Sequence, residues 1–195
     1  VSDTWLLAAA WLGVGFSVVV VCGFANSIVM LLLWALYMSF VHIGQLWYSY
    51  GWETQLLETG FLAVFLCPLW DLRPFARTPP AGVVLWLYRW LIFRIMLGAG
   101  LIKIRGDECW RDLSALFYHY ETQPVPNPFS RLIHFAPAWF HKLGVFVNHL
   151  MELVVPWFVF LPGVFRNVSG VLMTGFMGML IISGNLSFLN WLTII

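Results

Sequence analysis

The residues of this chain that could do chemistry are ionisable and amide groups set in hydrocarbon. One apolar run carries Arg89 and Arg94 and passes through Gly98, Ala99 and Gly100 to Lys103 and Arg105; a later run carries Asn148, His149 and Glu152. A buried lysine holds its proton less tightly and can act as a base, a His and a Glu can share a metal, and any of these charges can form an ion pair. On a helix Arg89 and Lys103 project about 40° apart, and Arg94 and Arg105 about 20° apart on a nearly opposed face. One helix then offers cations to two neighbours, and the small residues between them let another backbone come close. The available acceptors are few: Glu53, Glu58, Glu152, Asp107 and freed carbonyls. Charge at such depth marks either a bundle held by a few buried ion pairs or a functional site, and both readings stand.

Asn148, His149 and Glu152 share one helix face within about 100°. Pro156, four residues after Glu152, cannot donate to the Glu152 carbonyl, so a kink is expected beside a polar stripe that could line a cavity. A metal needs three or four ligands, and His42, His119, His134 and His141 show no ligand spacing, so neither a metal nor another cofactor is expected. His42, three residues before Gln45, reads as a hydrogen-bonding residue between helices.

The elements that must position these groups are membrane spans. Of 195 residues, 61% are hydrophobic and 10% charged, with a mean hydropathy of +0.84. Soluble domains carry about 25% charged residues, so the fold class is an all-α integral membrane protein in contact with lipid. Ten Lys and Arg against nine Asp and Glu leave no electrostatic footprint for nucleic acid. Apolar runs at about 4–22, 24–47, 56–70, 81–104, 143–161 and 168–195 predict a single transmembrane domain, a helical bundle of about six spans. The tight connections imply antiparallel neighbours, except for one long aromatic and proline-rich connection, 105–142. The chain opens on Val1 and closes inside an apolar run, which reads as a fragment of a longer protein. No signal peptide is recognisable.

Arg73, Arg77 and Arg166 fall in connections on one face, which the positive-inside rule makes cytosolic. The long connection also carries Arg105, Arg111, Arg131 and Lys142, yet six spans place it on the lumenal or exterior side. Cys109 would then meet an oxidising compartment, either paired with a region outside this sequence or as a plain thiol, while Cys22 and Cys67 stay reduced. The sequons at Asn167 and Asn185 fall in a cytosolic connection and inside a span, so neither is expected to be glycosylated. Within the long connection Trp110, Phe117, Tyr118 and Tyr120 precede Pro124, Pro126 and Pro128. These rings form either a belt at headgroup depth or a docking surface for an apolar or partly folded partner, with Trp110, Arg111, Tyr118, Tyr120, Glu121 and the three prolines as its organisers.

The strings GWETQLLETGFL from Gly51, FRIMLGAGLIKIRGDECWRDL from Phe93, YHYETQPVPNP from Tyr118 and NHLMELVVP from Asn148 closely resemble the lipase maturation factor family. The resemblance covers Gly51 to Pro156. It implies a multi-pass protein of the endoplasmic reticulum membrane that helps secreted lipases, lipoprotein lipase among them, to fold and assemble. It implies no catalytic residue, and it implies a lumenal C-terminal region that lies outside this sequence. A fainter similarity is to the membrane domain of vitamin K-dependent gamma-carboxylases, through Ala99-Gly100-Leu101, Lys103, Trp110, Glu152 and Pro156. In those enzymes the matching lysine deprotonates the vitamin hydroquinone, which makes Lys103 the candidate base of an alternative reading: a carboxylase-like membrane enzyme acting on a quinone or lipid. A second carboxylase residue, a histidine, falls here at Gln55. The preferred expectation is a shared fold without the chemistry, with Glu53, Glu58, Arg89, Arg94, Lys103, Arg105, His149 and Glu152 as a polar cluster.

Overall fold

A computed structural model describes residues 2–76, 78–123, 125 and 127–195. The described residues form helices, turns and loops without a strand. Five helical stretches among them are long and apolar enough to cross a membrane: Asp3–Val21, Ser27–Tyr48, Gly82–Arg105, Ala138–Phe160 and Val164–Ser183. The protein is a polytopic helical membrane protein. It divides into two compact units, residues 1–88 and 89–195, whose boundary falls within one helix.

The first unit contains α1 (Asp3–Val21), α2 (Ser27–Gly44), α3 (Gly51–Val64) and the start of α4 (Gly82–Arg105). No residue of α1 or α2 is buried, as expected of helices that are apolar all round and meet lipid rather than a protein core. Asn26 caps α2 by accepting from the Ile28 and Val29 amides at 3.1 and 3.0 Å. At the turn before it Gly23 sits at φ +94°, where a Cβ would also strike the Phe75 ring at 2.8 Å, so this position requires glycine. His42 bonds the Met38 carbonyl of its own helix at 2.8 Å, which corrects the expectation of a bond between helices. The sequence places a sixth span at 56–70, but α3 has 14 residues. At about 1.5 Å per residue that is roughly 21 Å, short of a hydrocarbon core of about 30 Å. Pro68 follows the end of α3, and the Cys67 and Pro68 carbonyls turn to the Ser27 hydroxyl and amide at 2.9 and 3.0 Å.

The second unit holds the rest of α4, then α5 (Glu108–Arg111), α6 (Ala115–His119), α7 (Ser130–His134), α8 (Ala138–His149), α9 (Val164–Ser183) and α10 (Leu189–Ile194). Beyond His149 the chain widens into a π turn, Leu150–Val154, and then tightens into a 3-10 stretch, Val155–Phe160. This is the irregularity expected of Pro156, and it sets Glu152 on the widened turn. The buried Ser169 hydroxyl on α9 donates to the Val155 carbonyl at 2.9 Å. Met96, Val155, Val159, Met173, Phe176 and Met177 make the core of this unit. The apolar run 168–195 reads as one span but breaks at Gly184: α9 stops at Ser183 and α10 begins at Leu189. Asn185, expected inside a span, stands in that break, where its side chain accepts from the Ser187 amide at 3.4 Å.

Candidate functional site

The site in the second unit begins at Gly100. A Cβ there would meet Leu153 Cδ2 at 2.6 Å and Glu152 Cβ at 3.0 Å, so glycine is what lets α4 lie against the widened turn after α8. One turn further along α4, the Lys103 ammonium donates to Glu152 Oε1 at 2.5 Å and to Asn148 Oδ1 at 3.0 Å. It also lies 4.8 Å from the centre of the Trp110 ring, within cation–π range. The Asn148 amide in turn donates to Glu152 Oε1 at 3.4 Å. Glu152 is 3% exposed, so its charge depends on this partner: taking two ions out of water costs several kcal/mol each, offset only by close contact and further hydrogen bonds.

These groups form one end of a cavity of about 370 Å³. Met96, Ala99, Met177, Leu180 and Leu189 give it mostly apolar walls, while His119, Gln123 and Asn190 add polar groups. Glu152 and Asn190 both line it, yet Glu152 Oε2 and Asn190 Oδ1 are themselves sealed off within the protein and have no hydrogen-bond partner among the described residues. His119 lies 3.1 Å from the Gln123 amide through Nε2; burial first, and then the Lys103 ammonium, pull its pKa below the ordinary value of 6.5. The imidazole beside the cavity is therefore held neutral.

The long connection is fastened to the end of α9. Asn127 donates to the Ile181 and Gly184 carbonyls at 3.1 and 3.2 Å, the Ser130 hydroxyl to the Ser183 carbonyl at 2.9 Å, and the Gln123 amide to the same oxygen at 3.4 Å. Carbonyls at a helix C-terminus lack intrahelical donors, and here side chains of the connection supply them. Sequence reasoning missed Gln123, Asn127, Ser130, His119 and Asn190. A signal was present: Gly184-Asn185 interrupts the apolar run, and Asn190 is an amide in hydrocarbon that needs a reason.

Of the expected polar cluster, the structure brings Lys103 and Glu152 into contact. His149 lies next to them, donating through Nε2 to the Trp110 carbonyl at 2.8 Å. Glu53 is buried in the first unit, where it accepts from the Tyr37 hydroxyl and, at 3.0 Å, from the Trp52 indole. Glu58 and Arg89 are half-buried, and Arg94 and Arg105 are exposed. Of the expected partner surface, Trp110 lines the cavity rather than facing outward. Arg111, Tyr118, Glu121 and Pro128 are exposed, with Glu121 paired to His134 at 2.8 Å and Arg111 at 3.6 Å from Glu108. Tyr120 is half-buried and its pKa is raised by that burial. Pro124, Pro126 and Arg77 lie outside the described residues. Desolvation, and after it the Asp107 carboxylate, push the Cys109 thiol up, which keeps it protonated and weakly nucleophilic. Among the described residues no three His, Cys, Asp or Glu side chains gather as a metal site.

Residues 1–195 match the family model described as the lipase maturation factor transmembrane domain. Lipase maturation factor 1 of Bos taurus is 60% identical over 195 residues, 99% of this chain and 35% of that protein. Lipase maturation factor 1 of Homo sapiens is 57% identical over 195 residues, 100% of this chain and 34% of that protein. Lipase maturation factor 2 of Xenopus laevis is 42% identical over 177 residues, 87% of this chain and 25% of that protein. The chain thus spans about a third of the length of the first of these curated relatives. No solved structure matches it.

Proposed function

This chain belongs to the lipase maturation factor family, and we propose that it is the membrane-embedded part of a protein of the endoplasmic reticulum that assists the folding and assembly of secreted lipases. The observation that carries this reading is 60% identity along 99% of the chain to a relative named for lipase maturation. In it the bundle anchors residues 105–142 on the lumenal side. Tyr118, Phe129, Leu132, Phe135 and Trp139 there are 54% to 74% exposed, an aromatic and aliphatic surface suited to an apolar, partly folded client. The docking of Gln123, Asn127 and Ser130 onto α9 supports a fixed platform rather than a loose loop.

The role is non-catalytic. Lys103 is engaged by Glu152, Asn148 and the Trp110 ring, a geometry that ties helices together. Cells lacking the full-length protein should secrete lipase of low specific activity, and the wild-type protein should restore it. Lys103→Arg separates structure from base chemistry, because guanidinium keeps the ion pair but does not give up its proton. It should rescue as wild type does. Undiminished lipase activity in cells lacking the protein would sink the maturation reading, and a Lys103→Arg protein that accumulates normally without rescuing would favour the carboxylase-like base. Lumenal placement is tested by a sequon made with Phe135→Asn and Pro137→Thr, which should be glycosylated in a folded protein; an unmodified, accessible sequon counts against it.

A further inference from the structure

We propose that Gln123 is an acid-sensitive latch, gated by the His119 imidazole, that holds the long connection on the end of α9 at neutral pH and lets go as the pH falls. The inference deepens the maturation reading, on which it rests for the role of the connection as a client platform, and it is carried by one amide with two neighbours. The Gln123 side-chain nitrogen stands 3.4 Å from the Ser183 carbonyl oxygen and 3.1 Å from His119 Nε2. A carbonyl only accepts, so the nitrogen end of the amide must face Ser183, and the same NH2 group then donates to His119. Nε2 is therefore the bare nitrogen of a neutral ring whose proton sits on Nδ1. The amide oxygen, turned the other way, lies 3.3 Å from the Ser130 hydroxyl.

Protonation leaves this amide no orientation that serves both neighbours. A proton on Nε2 sets two donors face to face, the imidazolium N–H against the amide N–H. Rotating the amide to offer its oxygen to the ring puts that oxygen against the Ser183 carbonyl, two acceptors face to face. A charged His119 therefore costs the bond between Gln123 and Ser183. The groups around the ring set when this happens. From α4 the Lys103 ammonium, a like charge, adds to burial in opposing protonation, which keeps the latch closed at neutral pH. Asn148 and Glu152, which line the cavity with His119, are tied to that ammonium. From α8 His141 faces the Phe117 and Tyr120 rings at 5.0 and 5.9 Å, with its Nε2 bonded to the His134 carbonyl, and Tyr120 sets its own ring 5.3 Å from His119. The residues of α9 and α10 that line the cavity carry no titratable group. Asn127 and Ser130 keep their own bonds to α9, so release loosens the connection without unfolding the bundle.

The test uses the full-length protein in lipid nanodiscs, with spin labels introduced as unnatural amino acids at two exposed positions away from the latch, Leu132 on the connection and Val171 on α9. The distance between them, read by pulsed dipolar spectroscopy, should be single and narrow at about pH 7.5 and should spread reversibly into a second component at about pH 5. In His119→Gln, whose amide oxygen still accepts from Gln123 but does not titrate, the narrow distance should persist at both. In Gln123→Leu the spread should be present at both. A wild-type distance that stays narrow down to about pH 5 overturns the proposal, as does a Gln123→Leu distance as narrow as that of wild type at about pH 7.5. A spread that survives in His119→Gln also overturns it and points to the Glu121 and His134 pair instead. If the variants fail to fold, the wild-type distances and the assigned nitrogen resonances of His119 decide. A bare Nε2 at about pH 7.5 that gains its proton over the same range as the spread upholds the latch, and an Nε2 already protonated there, or titrating outside that range, overturns it. None of these readouts involves a lipase, so the latch and the maturation role fail separately.

Discussion

Among the described residues each unit of the molecule buries one carboxylate, Glu53 in the first and Glu152 in the second, and the two are treated differently. Glu53 receives an uncharged phenol and an uncharged indole, one on each oxygen, from α2 and from its own helix. Glu152 receives a cation and an amide on one oxygen, and its residue forms part of a cavity wall. In the first unit the polar group is closed off and fixes the α2 and α3 pair. In the second, a charge is held in hydrocarbon by an ion pair and an amide that tie α4 to the widened turn after α8. The same residue type at similar burial is thus held by neutral donors in one place and by a cation in the other, and the partners decide what its loss would cost.

The largest effect should come from leaving the second carboxylate alone. Lys103→Met orphans Glu152 and is expected to destabilise the protein by about 3–5 kcal/mol, the cost of breaking a buried pair by removing one partner. Lys103→Met together with Glu152→Met removes both charges and should recover most of that loss. Unfolding of the full-length protein in mixed micelles reads both. If the double variant is no more stable than the single one, the pair does not behave as a coupled unit.

Next in size is the close approach that makes the pair possible. Gly100→Leu pushes a side chain into Leu153 and the Glu152 Cβ and should cost about 1–3 kcal/mol by overpacking. Gly98, whose Cβ would meet nothing within 4 Å, is the internal control, and Gly98→Ala should be neutral or slightly stabilising. Equal losses at both positions would show that α4 is not seated where the structure puts it. In the first unit Glu53→Gln leaves one acceptor for two donors and should cost about 1 kcal/mol, because no charge is left unpaired. A loss as large as that of Lys103→Met would erase the distinction between the two carboxylates.

Much of this was legible in the residues. Composition and run length identify a membrane bundle, and the kink at Pro156 follows from one missing amide hydrogen. The small residues around Gly100 announce a close crossing, and Lys103 with Glu152 stand among very few charges, so their contact could be read as one of a handful of pairings. The rest depended on long-range geometry. Trp110 sits in an aromatic-rich connection like its neighbours, and nothing local says that it turns inward onto Lys103. Asn127 lies among prolines and reads as a turn residue; that it caps carbonyls 54 and 57 positions away is a property of the packed unit. The end of α9 was obscured because hydropathy is blind to helix breaks: Gly184 and Asn185 interrupt a run that stays apolar on both sides.

The smallest effect expected is a pH dependence confined to the second unit. Burial and the Lys103 ammonium hold the His119 pKa below its ordinary 6.5. Above that value neither folded nor unfolded chain binds the proton at this ring. As pH falls through it, the unfolded chain takes up a proton that the folded one resists, so stability is present above about 6.5 and declines as pH falls toward the lowered folded value. Glu53 has a phenol and an indole as donors and brings no such neighbour. Amide exchange compared at about pH 7.5 and about pH 5.5 should show residues 115–123 losing protection while 51–64 hold theirs, and His119→Gln should flatten the difference. Equal loosening of both segments would mean that acid acts on the protein as a whole rather than through the imidazole beside the cavity.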